Sequence, residues 1–262
     1  MKTLFAFIKK EFMELVRSGR LTLLLVIFVI FGIMNPAMAK ITPWLMETMA
    51  DSLENTGLIV TGIKIDALTS WTQYYKNIEM ALIIFALLVS NTFTKEYQSG
   101  TMILVLTKGL SRFKIVLAKT AVMMLLWTVC YWLCFGITYA YNEYFWDNSI
   151  VSHMIYSTFC FWLFGIWILS LIVMFSTIVQ SNIFVLAGTG VTLVVFNLVN
   201  IFSSVKKYLP IKLMNSFTIL TGEAKVTDFT EAVLLTIIIS IACIGGSIII
   251  FNQKSISSQT GS

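Results

Sequence analysis

The stretch Met154–Val179, MIYSTFCFWLFGIWILSLIVMFSTIV, decides the fold class of this chain. It contains no charged residue, and it exceeds the roughly 20 apolar residues that a helix needs to cross a bilayer. The rest of the chain is similar, because 58% of its 262 residues are hydrophobic and only 12% are charged. A soluble fold could not cover its surface with so few charges. Long apolar runs favour helices over a β-barrel, so the sequence predicts an all-α integral membrane protein.

Further apolar runs before and after this stretch predict a total of six transmembrane helices. The first span is expected to end near Asn35 and Pro36. The second run is short, so its helix should extend into the flanking polar residues. Only Gln180, Ser181 and Asn182 separate the fourth and fifth spans, which predicts a tight helical hairpin. The predicted spans are Leu21–Ala39, Ile78–Phe93, Ile115–Tyr139, Met154–Val179, Ile183–Phe202 and Ala232–Phe251.

The N-terminal residues 1–20 precede this transmembrane domain, which covers residues 21–262. Their apolar side chains recur with helical periodicity, while Lys10, Glu14 and Arg17 lie on the opposite face. This pattern predicts an amphipathic helix lying in the membrane interface. A frayed cytosolic tail is the alternative. The apolar stripe consists of Leu4, Ile8, Phe12, Leu15 and Val16.

The distribution of lysine and arginine predicts the orientation. If the N-terminus is inside, eleven of these residues fall in inner segments and seven in outer segments. Both termini are therefore expected to be cytosolic. The formal net charge of +5 does not indicate nucleic-acid binding, because no basic patch with interleaved aromatic residues is present. Two outer segments, 40–76 and 203–231, are longer than simple turns and could either lie on the interface or dip into the membrane.

The chain lacks the common sequence motifs of ATPases, zinc proteases and serine hydrolases. The chain has no GxxxxGK[ST], HExxH or GxSxG pattern, and its single histidine, His153, lies at a span boundary. We therefore expect no catalytic residue, no metal site and no cofactor bound by this chain. Glu79, Lys119 and Glu231 fall near span ends, and the span centres carry no charge. A proton- or ion-coupled carrier usually keeps an ionisable residue inside its bundle, so energy for transport would come from a partner.

The inner segment 94–114 is the most informative part of the chain. A polar stretch containing Ser99, Gly100 and Thr101 leads into a short apolar run that ends at Gly109. The pattern predicts a short helix beneath the membrane between the second and third spans. Such a helix could be a docking site for a cytosolic protein. It could equally be an ordinary basic inner loop that follows the positive-inside rule.

A resemblance favours the docking interpretation. The residues that run from Glu96 through Gly100, Thr101, Ser111 and Arg112 to Lys119 resemble the signature after the second span of type-2 ABC exporter permeases. Many members have a proline before the Ser-Arg pair, where this chain has Gly109. The resemblance implies an elbow helix at the N-terminus and a coupling helix that meets the ATPase. The implied ATPase-coupling residues are Lys95, Glu96, Tyr97, Gln98, Ser99, Gly100, Thr101, Ser111 and Arg112.

The same resemblance implies a working unit of two permease chains, identical or paralogous, with two cytosolic ATPase subunits in a bacterial plasma membrane. ATP and Mg²⁺ would be bound by the ATPase, and this chain would move an amphipathic or hydrophobic peptide, drug or lipid outward. Polar residues of the fifth span could line the substrate path or pack against another helix. A membrane scaffold or sensor, and an ion-coupled secondary carrier, are the alternative functions. The candidate path residues are Thr189, Thr192, Asn197 and Asn200.

Overall fold

The computed structural model describes residues 2–54, 66–107, 109 and 111–254, and within these ranges it contains helices and no strands. The polar part of the first outer segment, 55–65, lies outside the described residues, as do Lys108 and Leu110. Three short 3₁₀ helices cover Asn148–Ile150, Pro210–Asn215 and Val226–Phe229. The α-helices are α1 (Lys2–Arg17), α2 (Arg20–Glu54), α3 (Ala67–Val89), α4 (Asn91–Gln98), α5 (Thr101–Thr107), α6 (Arg112–Phe145), α7 (Met154–Ile178), α8 (Asn182–Val199), α9 (Ser203–Lys206), α10 (Phe217–Leu220) and α11 (Thr230–Gln253).

Six helical stretches in the described part of the chain are long and apolar enough to cross a membrane, as predicted. The second predicted span does extend at both ends, because α3 and α4 together form one stretch from Ala67 to Gln98. The predicted hairpin is also present, since α7 ends at Ile178 and α8 begins at Asn182. The stretches are Arg20–Leu45, Ala67–Gln98, Arg112–Phe145, Met154–Ile178, Asn182–Val199 and Val226–Gln253.

The prediction that the first span ends near Asn35 and Pro36 is wrong, because α2 continues through Pro36 to Glu54. Proline has no backbone N–H, so the carbonyl four residues earlier, that of Gly32, loses its helical donor. The Thr138 hydroxyl of α6 donates to this Gly32 carbonyl over 3.0 Å. A donor from a neighbouring helix thus satisfies the freed carbonyl, which is how proline is tolerated inside membrane helices.

α7 lies at the centre of the bundle. Of its most apolar stretch, 72% of the residues are buried, against 28% for α2 and 11% for α8. α7 packs against α6 closely at Gly165, where an added Cβ would lie 2.3 Å from the Trp127 ring. The Trp127 indole N–H also donates to the Trp162 carbonyl at 3.1 Å. α8 packs mainly on α7, which leaves most of its surface uncovered.

The second outer segment folds back onto the bundle instead of lying apart from it. Ile211, Leu213 and Ile219 are buried against the helices. The Ser157 hydroxyl of α7 donates to the Ser216 carbonyl at 2.6 Å and also lies 2.6 Å from the Tyr75 hydroxyl. The 3₁₀ helix Pro210–Asn215 and α10 therefore close one end of the space between α3 and α7.

Side chains at the opposite end of the bundle join the C-terminal end of α11 to α6 and α7. The Arg112 guanidinium donates to the Phe251 carbonyl at 2.9 Å and the Asn252 carbonyl at 3.1 Å, at the C-terminal end of α11. Lys254 donates to the Thr177 carbonyl at 2.9 Å and the Ile178 carbonyl at 3.0 Å, at the end of α7. Cations near exposed carbonyls stabilise helix C-termini. At the same end, Lys114 of α6 donates to the Thr3 hydroxyl of α1 at 3.2 Å. Both described ends of the chain thus lie at the same end of the bundle.

Candidate functional site

A network of six charged side chains joins α1, α4 and α6 at the end of the bundle where the chain begins and ends. At its centre, the Lys119 ammonium lies 2.8 Å from a Glu11 carboxylate oxygen and 3.2 Å from a Glu96 oxygen. The Lys10 ammonium contacts the other oxygen of each carboxylate, at 2.9 Å for Glu11 and 2.6 Å for Glu96. Two lysines therefore bridge the same two carboxylates.

The three central side chains are almost completely buried: Lys119 is 1% exposed, Glu11 5% and Glu96 6%. Lys119 is the eighth residue of α6, so its ammonium lies beside α1 and α4 instead of reaching solvent at the helix end. It also donates to the Thr92 carbonyl at 3.2 Å. A buried charge of this kind is stable only while its partners remain in place.

Two more exposed residues extend the network to the surface. Glu14 lies 3.1 Å from Lys10 and 4.0 Å from Lys95. Partial burial raises the pKa of Glu14, but the hydrogen bond to Lys10 and the nearby charges of Lys10, Lys119 and Lys95 together outweigh that effect, so the pKa lies below its usual value. For Lys10, burial lowers the pKa, but hydrogen bonds to Glu96 and Glu11 raise it above its usual value. Both residues are therefore charged at neutral pH.

The network is balanced in charge. Carboxylate oxygens of Glu11, Glu14 and Glu96 lie within 4.8 Å of one another, which resembles a metal-ligand set. However, the ammonium groups of Lys10 and Lys119 already contact these carboxylates at 2.6–3.2 Å. The three carboxylates are matched by three lysines, Lys10, Lys95 and Lys119. The arrangement neutralises itself and ties three helices together.

The predicted ATPase-coupling residues divide into an exposed group and an inward-facing group. Gln98, Ser99, Gly100 and Thr101 form an exposed turn between α4 and α5, in which Gly100 has a positive φ of 69°. We call these four residues the exposed turn. Lys95 and Ser111 are also exposed, whereas Glu96 faces the ion network. Tyr97 and Arg112 are partly buried against the end of α11, where Tyr97 packs on Phe251 and Arg112 donates to carbonyls.

A second candidate site is a cleft of about 410 Å³ between α3, α7 and α8. Its lining is apolar except for Glu79, Thr189 and Asn197. Of the predicted path residues, Thr189 and Asn197 line this cleft, whereas Thr192 and Asn200 do not. The Thr189, Thr192 and Asn197 side chains each donate to a carbonyl of α8 itself, four residues earlier.

Sequence reasoning missed the structural roles of Glu11, Lys10 and Lys119. It treated the lysines as interfacial charges, and it assigned Glu11 no partner. Two signals pointed to the network. Glu11 borders the apolar stripe of α1, and Lys119 lies seven residues inside α6 with no charge beside it on that helix to pair with. An isolated charge at such a position predicts a partner on another helix.

Comparisons with known proteins agree with this architecture. The family described as ABC-2 family transporter protein matches residues 5–251. The chain is also 22% identical over 214 residues to the uncharacterized transmembrane protein YxlG of Bacillus subtilis (strain 168). The aligned region covers 80% of this chain and 81% of YxlG. No solved structure matches the chain.

Proposed function

This chain belongs to the ABC-2 transporter family, and from that premise we propose that it exports an amphipathic or hydrophobic molecule. Membership makes it a multi-pass membrane protein and the permease subunit of an ABC transporter, whose ATPase is a separate subunit. Our proposal adds that the exposed turn contacts this ATPase, that the termini face the cytosol, and that the ATPase supplies ATP and Mg²⁺. The cargo would be a peptide, drug or lipid with apolar surface.

The observation that carries the proposal is the connection between the exposed turn and the buried ion network. Glu96 lies on α4, two residues before the turn begins, and contacts Lys10 of α1 and Lys119 of α6. A force applied to the turn would therefore reach the N-terminal helix and the third span together. Breaking these contacts would leave buried charges without partners, which costs several kcal/mol. Such a connection can convert a rigid-body movement of a partner into tilting of spans.

The same geometry supports the roles of elbow and coupling helix for α1 and the α4–α5 segment. One face of α1 packs on the bundle through Phe7 and Glu11, while Phe5, Phe12 and Val16 stay exposed. A helix with one apolar face uncovered suits the boundary between lipid headgroups and acyl chains. α1 and the exposed turn lie at the bundle end that also contains Arg112 and Lys254. The positive-inside rule favours the cytosolic side for this end.

A second permease chain and lipid are further proposed partners. In a membrane span, uncovered apolar surface is covered either by lipid or by another helix. α8 has only 11% of its apolar stretch buried, the last span, Val226–Gln253, has 17%, and the first span, Arg20–Leu45, has 28%. These spans are the surfaces on which an identical or paralogous chain could pack. Any part of them that a second chain leaves uncovered would face lipid.

The proposal can be tested by purifying the tagged full-length chain from its own cells in mild detergent and identifying bound proteins by mass spectrometry. We expect a stoichiometric ABC ATPase subunit. The variant Ser99→Trp places a large ring on the exposed turn and should abolish co-purification without unfolding the chain. A matched control, Glu223→Trp, alters an exposed residue at the opposite end of the bundle and should leave co-purification unchanged.

Transport in inverted membrane vesicles then tests direction. Export predicts ATP-dependent accumulation of an amphipathic dye inside the vesicles, which Ser99→Trp should abolish. Accumulation that follows an ion gradient and needs no ATPase would replace the proposal with a secondary carrier. Recruitment of an ATPase with no substrate-dependent ATP turnover would replace it with a scaffold.

A further inference from the structure

The cleft between α3, α7 and α8 is polar at one end and apolar along the rest of its length. On α3 it extends from Glu79 to Leu87, about 12 Å along the helix axis at 1.5 Å per residue. On α8 it extends from Leu186 to Asn197. α8 begins beside the end of α7 that Lys254 caps, so α3 and α8 run in opposite directions. Glu79 and Asn197 therefore lie toward the same end.

Ile211 and Met214 of the outer segment close this polar end of the cleft. Phe161 of α7 lies nearby, because its ring packs on Tyr75, one helical turn before Glu79, at 6.3 Å between centroids. The deeper part of the cleft is lined by aliphatic side chains such as Leu87 and Leu186. The cleft thus combines a carboxylate and an amide at one end with an apolar channel behind them.

Glu79 makes no hydrogen bond or ion pair within the described residues. Lys76, one turn earlier on α3, is exposed and forms no ion pair with it. Glu79 was expected near the end of a span, but it is the thirteenth residue of the stretch Ala67–Gln98. A carboxylate at such a depth is costly unless a cation or water accompanies it, and such residues mark binding sites and pathways. The cleft is the place where an external cation could reach this carboxylate.

We infer that this cleft binds a small amphiphile with a single positive charge, placing its ammonium group at Glu79 and its apolar tail along Leu87 and Leu186. Positive charge is favoured by the carboxylate of Glu79, which has no cation of its own among the described residues. The amide oxygen of Asn197 can accept a hydrogen bond from a primary ammonium. A phosphocholine zwitterion would bring a phosphate to an end of the cleft where the described lining residues include no positive side chain.

Size and access agree with this occupant. A volume of about 410 Å³ falls within the range of about 300–1,000 Å³ that accommodates drug-sized ligands. The cleft is open on the side between α3 and α8, where Ile83 and Leu87 are more than half exposed. An amphiphile could therefore enter sideways from the bilayer. This inference rests on the proposed function only for the role of the bound amphiphile as cargo, because binding itself requires no ATPase.

The test measures binding of radiolabelled decyltrimethylammonium to the purified full-length chain in maltoside micelles. Decanol and decylphosphocholine serve as the neutral and zwitterionic probes. We expect the cation to bind at least about tenfold more tightly than either, since a partly buried charge pair adds affinity. Glu79→Gln should remove this preference, while Glu223→Gln, which alters an exposed carboxylate outside the cleft, should keep it.

A second pair of variants tests the cleft independently of charge. A Cβ added at Gly190 or at Gly245 would meet no atom within 4 Å, so both positions accept a larger side chain. Gly190 lines the cleft and Gly245 does not. Gly190→Leu should weaken binding of every probe, and Gly245→Leu should not.

Two results would overturn the inference: equal binding of the cation and decanol by the unmodified chain, or a cation preference that survives Glu79→Gln. Failure of the proposed export function would look different. Ser99→Trp would then leave ATPase co-purification intact, whatever the binding result.

Discussion

Replacing Lys119 with methionine tests whether the buried ion network holds α1, α4 and α6 together. The substitution keeps the length of the side chain and removes its ammonium. The oxygens 2.8 Å away on Glu11 and 3.2 Å away on Glu96 would lose their contact with Lys119, and both side chains are at most 6% exposed. The change therefore leaves a surplus of negative charge inside the protein.

The magnitude follows from burial. Removing one partner of a buried ion pair costs about 3–5 kcal/mol. Lys10 still contacts the other oxygen of both carboxylates, at 2.9 and 2.6 Å, so we expect a loss near the lower limit, about 3 kcal/mol. Lys95→Met is the matched control, because Lys95 is 56% exposed and lies 4.0 Å from Glu14. An exposed pair of that kind contributes about 0–1 kcal/mol.

Thermal unfolding of the purified chain in mild detergent measures both variants. For chains of this length a loss of 1 kcal/mol lowers the melting temperature by about 2–4 °C, so Lys119→Met should lower it by about 6–12 °C. Adding Glu11→Gln to Lys119→Met removes one surplus negative charge and should restore part of the loss. The reasoning fails if Lys119→Met melts at the same temperature as Lys95→Met. It also fails if the double variant loses as much stability as the Lys119→Met and Glu11→Gln single variants added together.

Three further predictions use the same unfolding assay. Thr138→Val should lower the free energy of unfolding by about 1–3 kcal/mol, because the Gly32 carbonyl opposite Pro36 loses its donor. Pro36→Ala restores a backbone N–H and should reduce that loss; if it does not, our account of this helix is wrong. Gly165→Ala should cost about 1–3 kcal/mol, because its Cβ would lie 2.3 Å from the Trp127 ring, whereas Gly190→Ala should be neutral; equal effects would contradict the close packing. The pKa of Glu14 is held below its ordinary value of 4.5, so the stability that its ionised carboxylate adds is present at neutral pH and lost as the pH falls below about 4.5. Glu14→Gln should therefore lose less stability than the unmodified chain between pH 6 and pH 3. Parallel plots of stability against pH for the two proteins would exclude this role.

The spans could be predicted from sequence because the bilayer imposes one simple requirement on each of them. A helix in lipid must be long and apolar, and both properties are local. The end of the first span could not be predicted in this way. Pro36 is a local signal to stop, but the donor that overrides it, Thr138, lies 106 residues from Gly32 along the chain. Local patterns contain no information about such a contact.

The candidate site likewise combines local features that the sequence predicts with long-range contacts that it does not. The pattern from Glu96 to Lys119 predicted a docking segment, but the sequence did not indicate that its two terminal residues meet inside the protein. The third member, Glu11, lies 108 residues from Lys119, on a helix whose periodicity predicted only an interfacial location. As a result, Glu96 was expected to contact a partner protein, whereas its carboxylate faces Lys10 and Lys119.

The network also determines where the structure could bend if a partner moves the exposed turn. Separating Glu96 from its lysines would leave buried charges unpaired, so α4, α1 and the start of α6 should move as one unit. The weakest connection is then the junction of α3 and α4. There the Ser90 hydroxyl donates to the Leu87 carbonyl at 3.0 Å and the Thr92 hydroxyl donates to the Val89 carbonyl at 2.6 Å. Hydroxyl groups that bond back to the carbonyls of their own helix favour bending. A displacement of the turn would therefore be absorbed at Ser90–Thr92, a little over one helical turn beyond Leu87, where the cleft ends on α3.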